Sequence, residues 1–213
     1  MAKEQKSNTM VRDALILCVI TLLAGLLVAF FYELTKDPIA ANEQKAKNRA
    51  YRSIYADAAE FDAEPELPGG MDAAAAGEAA IEASGEDFGN ITVDEIVTAA
   101  DASGNFLGYI VSVTTGDGYG GDISISVGVN PDGGVSGVEI LSIGETAGLG
   151  MKAKEASFRG QYTGKTTELF TVTKNEPAAE GEIQALSGAT ITSRAMTNAV
   201  NAALTTARSI MGE

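Results

Sequence analysis

The first long pattern along the chain is an uncharged apolar stretch, Ala14–Tyr32, with Asp13 and Glu33 at its two ends. As an α-helix it would be about 28 Å long, enough to cross a hydrocarbon core of about 30 Å. A cleaved signal peptide would have a shorter apolar core followed by a small-x-small cleavage site, and no convincing site follows here. The pattern therefore predicts a short N-terminal tail at 1–13 and a transmembrane anchor at 14–32.

Two segments of different character follow this anchor. In Thr35–Phe61 the apolar residues are spaced mainly three and four apart, and Pro38 suits a first helical turn. These features predict a helical stalk at 33–63. The next segment, 64–89, is acidic and rich in Ala, Gly and Pro. Its composition predicts a flexible insertion or a weak helix that lies outside the core.

From Ile91 onward the pattern is that of strands. Four segments follow one another, ITVDEIVTAAD, FLGYIVSVTTGDG, DISISVGVN and VSGVEILSI, with turn sequences between them. A further strand is expected in Glu168–Lys174 and a short helix in Met151–Tyr162. Ile191–Met211 has an alanine-rich apolar stripe and predicts a long helix. The fold class is therefore α+β: an N-terminal transmembrane helix, then an antiparallel-sheet domain at 90–213 with a long C-terminal helix.

The residue composition limits the kinds of partner and of cofactor site that this chain can have. The net charge is −14, and no Lys or Arg occurs between Arg52 and Lys152, which argues against nucleic acid as a partner. Histidine is absent and Cys18 is the single cysteine. These counts exclude an intramolecular disulfide, a four-cysteine iron–sulfur site and a histidine-ligated haem within this chain. Any redox chemistry would need an organic cofactor, and we predict neither a metal site nor a catalytic residue.

The segment Leu186–Arg194, LSGATITSR, precedes the long helix. Thr190 is placed to be the N-cap of that helix, and the free N–H groups and dipole of a helix N-terminus favour an anion such as phosphate. Gly188 would permit close approach of the backbone. By its spacing alone, the segment is more typical of an ordinary capped helix that binds nothing.

The run SGATITS resembles the S/T-G-A-T flavinylation motif of the FMN-binding domain family, found in the G subunit of the Rnf complex and the C subunit of the sodium-pumping NADH:quinone oxidoreductase. Upstream, GETAGLG at 144–150 is similar to the E-T-P-G-L-G loop of that family, with Ala147 in place of proline. The anchor, stalk, meander, loop, SGAT and last helix occur in the family's order. The resemblance implies that 90–213 is an FMN-binding domain and that Thr190 forms a phosphoester with FMN.

The resemblance also implies the other residues of the site. The cofactor-binding set comprises Thr190, Ser187, Gly188, Ala189, Thr192, Ser193, Glu145, Thr146, Gly148 and Leu149. Capping is the alternative role for Ser187, Thr192 and Ser193, and packing in the core is the alternative for Leu149. Lys152, Lys154 and Arg194 are weaker candidates for the phosphate, and Tyr119 is a weaker candidate for stacking on the flavin.

The function implied is that of an electron-carrying subunit with covalent FMN in a membrane complex that couples ferredoxin/NAD electron transfer to sodium-ion or proton translocation. Such a subunit performs no complete reaction alone. Its expected partners are the other subunits of an Rnf-type complex, the membrane, and a flavin transferase that uses FAD. The family places the soluble domain on the extracytoplasmic side, whereas the basic residues that flank the span do not set an orientation.

Two other interpretations remain open at this point. One is a membrane-anchored extracytoplasmic FMN-binding redox module that belongs to no ion pump. The other is a structural or adhesion protein in which SGAT occurs by chance.

Overall fold

The computed structural model describes residues 2–212, with side chains from residue 10 onward. Met1 and Glu213, the outer ends of the predicted tail and of the predicted FMN-binding domain, lie outside the described residues. The chain divides into two compact units, Met1–Lys45 and Ala46–Glu213.

The N-terminal unit is formed by most of helix α1, Ala2–Ile54. From Met10 this helix is long and apolar enough to cross a membrane, by length and composition, and its apolar side chains there are exposed. The helix does not begin near Pro38 as the sequence suggested, because Pro38 lies inside it. A proline in a helix interior removes one backbone hydrogen bond, and α1 continues past Pro38 to Ile54 despite that loss.

The second unit is built on an antiparallel meander of five strands in the order β1-β2-β3-β4-β5. They are β1 Glu60–Asp62, β2 Ile91–Ala100, β3 Phe106–Thr115, β4 Ile123–Val129 and β5 Val135–Ile143. The four long strands fall in the four segments for which the sequence predicted strands. The three-residue β1, which the sequence did not reveal, pairs with the end of β2.

Shorter elements complete this unit. They are α2 Ala73–Ser84, 3-10 helices at Pro68–Gly70 and Gly150–Lys154, α3 Ala156–Arg159, the parallel pair β6 Thr171–Thr173 and β7 Glu182–Gln184, and α4 Thr190–Met211. The predicted short helix at Met151–Tyr162 is thus two separate helical turns. The α+β class, with an apolar N-terminal helix, an antiparallel sheet and a long C-terminal helix, is confirmed.

The sheet has a separate hydrophobic cluster on each face. On one face the end of α1 packs on the strands through side chains such as Tyr51 and Ile54, beside Val97 and Ile110. On the other face α4 packs on the strands and forms the larger cluster with them. The alanine stripe of α4 lets this helix approach the strands closely. The sheet is therefore covered on both sides, and the start of α4 lies beside the loop that follows β5.

The acidic segment 64–89 differs from the expectation that it lies outside the core. Asp72 caps α2 by accepting a hydrogen bond from Ala75 N–H at 2.8 Å, and Gly85 ends the helix with φ of 70°. Ala76 and Ala80 are buried, and α2 packs against both β2 and α4. Alanine and glycine, which composition alone associates with flexibility, here provide a smooth helix face.

We predict that Gly77→Ala lowers the free energy of unfolding, although alanine is the better helix former by about 1 kcal/mol. A Cβ at Gly77 would lie 2.2 Å from Val93 Cγ2 and 2.6 Å from Val93 Cβ. Overpacking of this kind costs about 1–3 kcal/mol. Denaturant unfolding measures the difference, and Val93→Ala should cost less stability in the Gly77→Ala background than in the native chain. An increase in stability on Gly77→Ala would contradict the packing of α2.

Candidate functional site

The start of α4 differs in one respect from the sequence prediction. Thr190 is the first residue of the helix, and Ala189 occupies the N-cap position without a side-chain capping hydrogen bond. The prediction that Thr190 is the N-cap is therefore wrong. The first N–H groups of any helix lack partners within the helix. Because no side chain caps α4, this N-terminus is available to an anion, and the Thr190 hydroxyl is not engaged in capping.

Ser193 holds the preceding loop in place. Its Oγ accepts a hydrogen bond from Leu186 N–H at 2.9 Å and donates one to Ala189 O at 2.9 Å. Its side chain is fully buried. We therefore assign Ser193 to the turn that presents Thr190, and not to contact with a phosphate as the sequence suggested. Gly188, in the same turn, has φ of 76°, a conformation that favours glycine.

The GETAGLG loop follows β5 and folds into a compact turn. Thr146 O accepts hydrogen bonds from Leu149 N–H and Met151 N–H, each at 3.2 Å. Gly148, with φ of 79°, allows the chain to reverse, and the 3-10 helix at Gly150–Lys154 begins directly afterwards. The turn leaves Leu149 43% exposed, whereas Glu145 is only 7% exposed.

The two motifs, which are far apart in the sequence, line one cavity of about 460 Å³. Its lining residues are Tyr119, Glu145, Thr146, Leu149, Gly150, Gly188, Ala189, Thr190, Ile191 and Thr192. Most of the predicted cofactor-binding residues are thus brought together. Of the predicted set, Ser187, Gly148 and Ser193 are not among the lining residues. Gly148 and Ser193 shape the two loops, and Ser187 is exposed.

Three lining residues were weakly predicted or missed. Tyr119 was a minor candidate, and its side chain is 72% exposed at the cavity. Gly150 is the last residue of the GETAGLG motif, and its place in that motif is the only sequence signal that could have identified it as a lining residue. Ile191 was assigned to the apolar stripe of the last helix, yet it is 54% exposed and lines the cavity instead.

The charged side chains considered as phosphate ligands lie elsewhere. Lys152, Lys154 and Arg194 are exposed, and none of them lines the cavity in the described part of the chain. The favourable electrostatics for an anion here therefore come from the N-terminus of α4 and its dipole.

The cavity offers two kinds of surface. One part has an uncapped helix N-terminus that begins at Thr190, a residue that is partly exposed. Around it lie the exposed apolar side chains of Tyr119, Leu149 and Ile191. The volume falls in the range of about 300–1,000 Å³ that is usual for cofactor sites. A ligand with a phosphate at one end and a flat apolar ring at the other fits both surfaces.

Two family models match the chain. The FMN-binding domain matches residues 118–205, which include both cavity-lining motifs. The RnfG N-terminal region matches residues 1–54, the full extent of α1.

Curated relatives match over nearly the whole length. The chain is 32% identical over 205 residues to the G subunit of the proton-translocating ferredoxin:NAD(+) oxidoreductase complex of Clostridium ljungdahlii, covering 96% of this chain and 95% of the relative. It is 29% identical over 191 residues to the G subunit of the Na(+)-translocating ferredoxin:NAD(+) oxidoreductase complex of Acetobacterium woodii, covering 88% and 86%. Among solved structures, NqrC of Shewanella oneidensis is 21% identical with a TM-score of 0.48, covering 56% of this chain and 61% of that one.

Proposed function

Because the chain belongs to the RnfG family, the G subunits of ion-translocating oxidoreductase complexes, we propose that it carries one FMN on Thr190 and passes electrons within such a complex. The observation that carries the proposal is the single cavity in which the SGAT turn, the GETAGLG turn and the N-terminus of α4 meet. FMN supplies the redox chemistry when bound, and the chain holds and shields it.

The attachment at Thr190 is supported by the position of its side chain. Thr190 lines the cavity, is partly exposed and stands at the first turn of α4. A phosphate joined to its Oγ1 would lie beside the free N–H groups of that turn, which donate hydrogen bonds to anions. A covalent tether would keep the cofactor in place where free flavin is scarce.

The walls of the cavity suit an isoalloxazine ring. Leu149 and Ile191 expose apolar surface there, and Tyr119 can present an aromatic face. A planar ring that covers these side chains would remove apolar area from water, at about 25 cal/mol for each Å² buried. We therefore assign Tyr119, Leu149 and Ile191 to the ring, and Gly188, Ala189 and Thr192 to the phosphate end of the cavity.

The chain itself has little means of activating the Thr190 hydroxyl. It contains no histidine, and threonine is a weak nucleophile at its free pKa. Direct condensation of this hydroxyl with FMN would also have to release a water molecule, which is unfavourable in aqueous solution. Transfer from FAD is more favourable, since the Thr190 Oγ1–phosphorus bond forms while the anhydride bond breaks, AMP leaves and the hydroxyl proton passes to a base. The proposal therefore includes a magnesium-dependent flavin transferase as a maturation partner.

We predict that the purified full-length apo chain in detergent does not attach FMN by itself. Incubation with FMN alone should leave the intact mass unchanged, whereas FAD, Mg²⁺ and an active flavin transferase should add the mass of one FMN less one water. The transferase is first shown to be active on another substrate. A covalent adduct formed from FMN alone would contradict the requirement for a transferase.

Membership of a complex is tested by purification. If the chain acts as proposed, a tagged copy solubilised gently from its native membrane should bring with it multi-spanning and iron–sulfur subunits. Recovery as a lone flavoprotein would instead favour an anchored redox module outside any ion pump. The ion that is pumped is a property of the whole complex. This chain is similar both to a subunit of a proton-translocating complex and to a subunit of a Na(+)-translocating one, so the similarity does not select the ion.

We further propose that the helix α1 anchors the chain and that the soluble part faces away from the cytoplasm. The anchor is supported by the length and apolar character of α1. A protease added outside intact spheroplasts should then digest the soluble part, and protection until the membrane is permeabilised would place it in the cytoplasm.

A further inference from the structure

Glu145 is an unusual side chain for its position. Of the residues whose side chains the structure describes, it carries the only charged group that is buried, and none of the described ion pairs includes it. Burying a carboxylate is costly unless hydrogen bonds or an opposite charge offset the lost hydration. Glu145 lines the cavity, and a role there would explain why a carboxylate occupies this buried position.

One oxygen of this carboxylate holds the loop that carries Tyr119. Glu145 Oε1 accepts a hydrogen bond from Tyr119 N–H at 2.7 Å. The neighbouring Gly120 packs directly on the same turn, because a Cβ added there would lie 2.5 Å from Gly144 O and 3.0 Å from Glu145 Cα. The Tyr119 loop thus rests on the Glu145 backbone and is fixed by its side chain.

The other oxygen lies beside Gly150, and so does the hydroxyl of Thr192 in the first turn of α4. A Cβ on Gly150 would lie 2.7 Å from Glu145 Oε2 and 2.7 Å from Thr192 Oγ1, so both oxygens border the same glycine. Glu145 therefore stands between the loop of Tyr119 and the helix turn of Thr192. Both of these residues line the cavity.

We propose that Glu145 is a positioning residue that fixes the Tyr119 wall of the flavin cavity and lowers the reduction potential of the bound flavin by its fixed negative charge. The inference rests on the proposed FMN site. An electron that enters from a neighbouring redox centre of the complex adds negative charge to the site unless a proton accompanies it. A carboxylate shielded from water opposes that addition more strongly than an exposed one, because water and salt screen it less.

Two substitutions separate the roles. Glu145→Gln keeps the shape and a side-chain oxygen that can accept from Tyr119 N–H, but removes the charge. Glu145→Ala removes both. Glu155→Gln is the matched control, since Glu155 is exposed and outside the cavity. All variants are made as full-length chains.

The first readout needs no flavin. In the apo chain, amide hydrogen exchange at Tyr119 should be about tenfold faster or more in Glu145→Ala, and near native in Glu145→Gln and Glu155→Gln. The second readout is the midpoint potential of chains whose FMN loading has been verified by intact mass. It should shift upward in Glu145→Gln and stay at the native value in Glu155→Gln.

The outcomes are distinct from those of the proposed attachment. Native exchange at Tyr119 in Glu145→Ala would overturn the positioning role. A native midpoint potential in fully loaded Glu145→Gln would overturn the charge effect, because that is the result expected if Glu145 has a purely structural role. If the native chain does not load at Thr190, the attachment fails, and the exchange measurement alone decides the role of Glu145.

Discussion

Replacing Thr190 with valine should remove covalently bound FMN completely while leaving the fold unchanged. Valine keeps the branched shape of the side chain but has no oxygen through which a phosphoester can form. Thr190 is partly exposed and makes no capping hydrogen bond, so the free energy of unfolding should change by no more than about 0.5 kcal/mol. Intact mass and flavin fluorescence after denaturation measure the loss, in chains made together with an active transferase.

Thr192→Val is the matched control for this prediction. Thr192 lines the same cavity two residues further along, but it is buried, with 1% exposed, and its Oγ1 faces Gly150. Its variant should retain the covalent adduct. Acid-stable flavin that persists in Thr190→Val and is lost in Thr192→Val would move the attachment to Thr192.

The chain should also lose stability steeply in alkali. Burial raises the pKa of Tyr162, Tyr51 and Tyr55 above the ordinary range, and for Tyr162 the hydroxyl of Thr197 opposes this only in part. In the unfolded chain these phenols ionise near pH of about 10. The stability that these buried, un-ionised phenols contribute is therefore fully present below that pH, and it is lost as the pH rises toward the folded-state pKa. The free energy of unfolding should fall by about 1.4 kcal/mol per pH unit for each such tyrosine.

Two variants test this origin of alkaline unfolding. Tyr162 Oη lies 2.8 Å from Thr197 Oγ1, and both side chains are buried. Tyr162→Phe should make the fall in stability shallower by one tyrosine's contribution, whereas Thr197→Val removes the same hydrogen bond but keeps the phenol. The second variant should lose about 1–3 kcal/mol at neutral pH and keep the native slope. Equal slopes for the native chain and Tyr162→Phe, in denaturant titrations up to pH of about 12, would contradict the account.

Much of this fold could be predicted because its patterns are regular. The four long strands are rich in β-branched residues and are separated by clear turn sequences, β4 alternates apolar and polar residues, and the alanine stripe of α4 repeats at helical spacing. The candidate site could be predicted only from motifs, since no periodicity shows that Glu145 and Thr190 line one cavity. That proximity depends on how β5 and α4 pack, which is a tertiary property.

The errors have physical reasons as well. Thr190 was predicted as the N-cap because threonine favours that position, yet the turn through Gly188 brings Ala189 there instead. The segment 64–89 was judged by composition, although Asp72 and Gly85 are sound start and stop signals for α2. β1 is too short for alternation to reveal it.

The central claim is that FMN is joined to Thr190, and one measurement tests it most directly. The native chain, produced together with an active flavin transferase, is weighed intact, digested and mapped by fragmentation of its peptides. We predict an added mass of one FMN less one water on the peptide that contains Thr190, with the fragment ions placing it on that residue. An unmodified Thr190 peptide, from cells in which the transferase modifies another substrate, would contradict it.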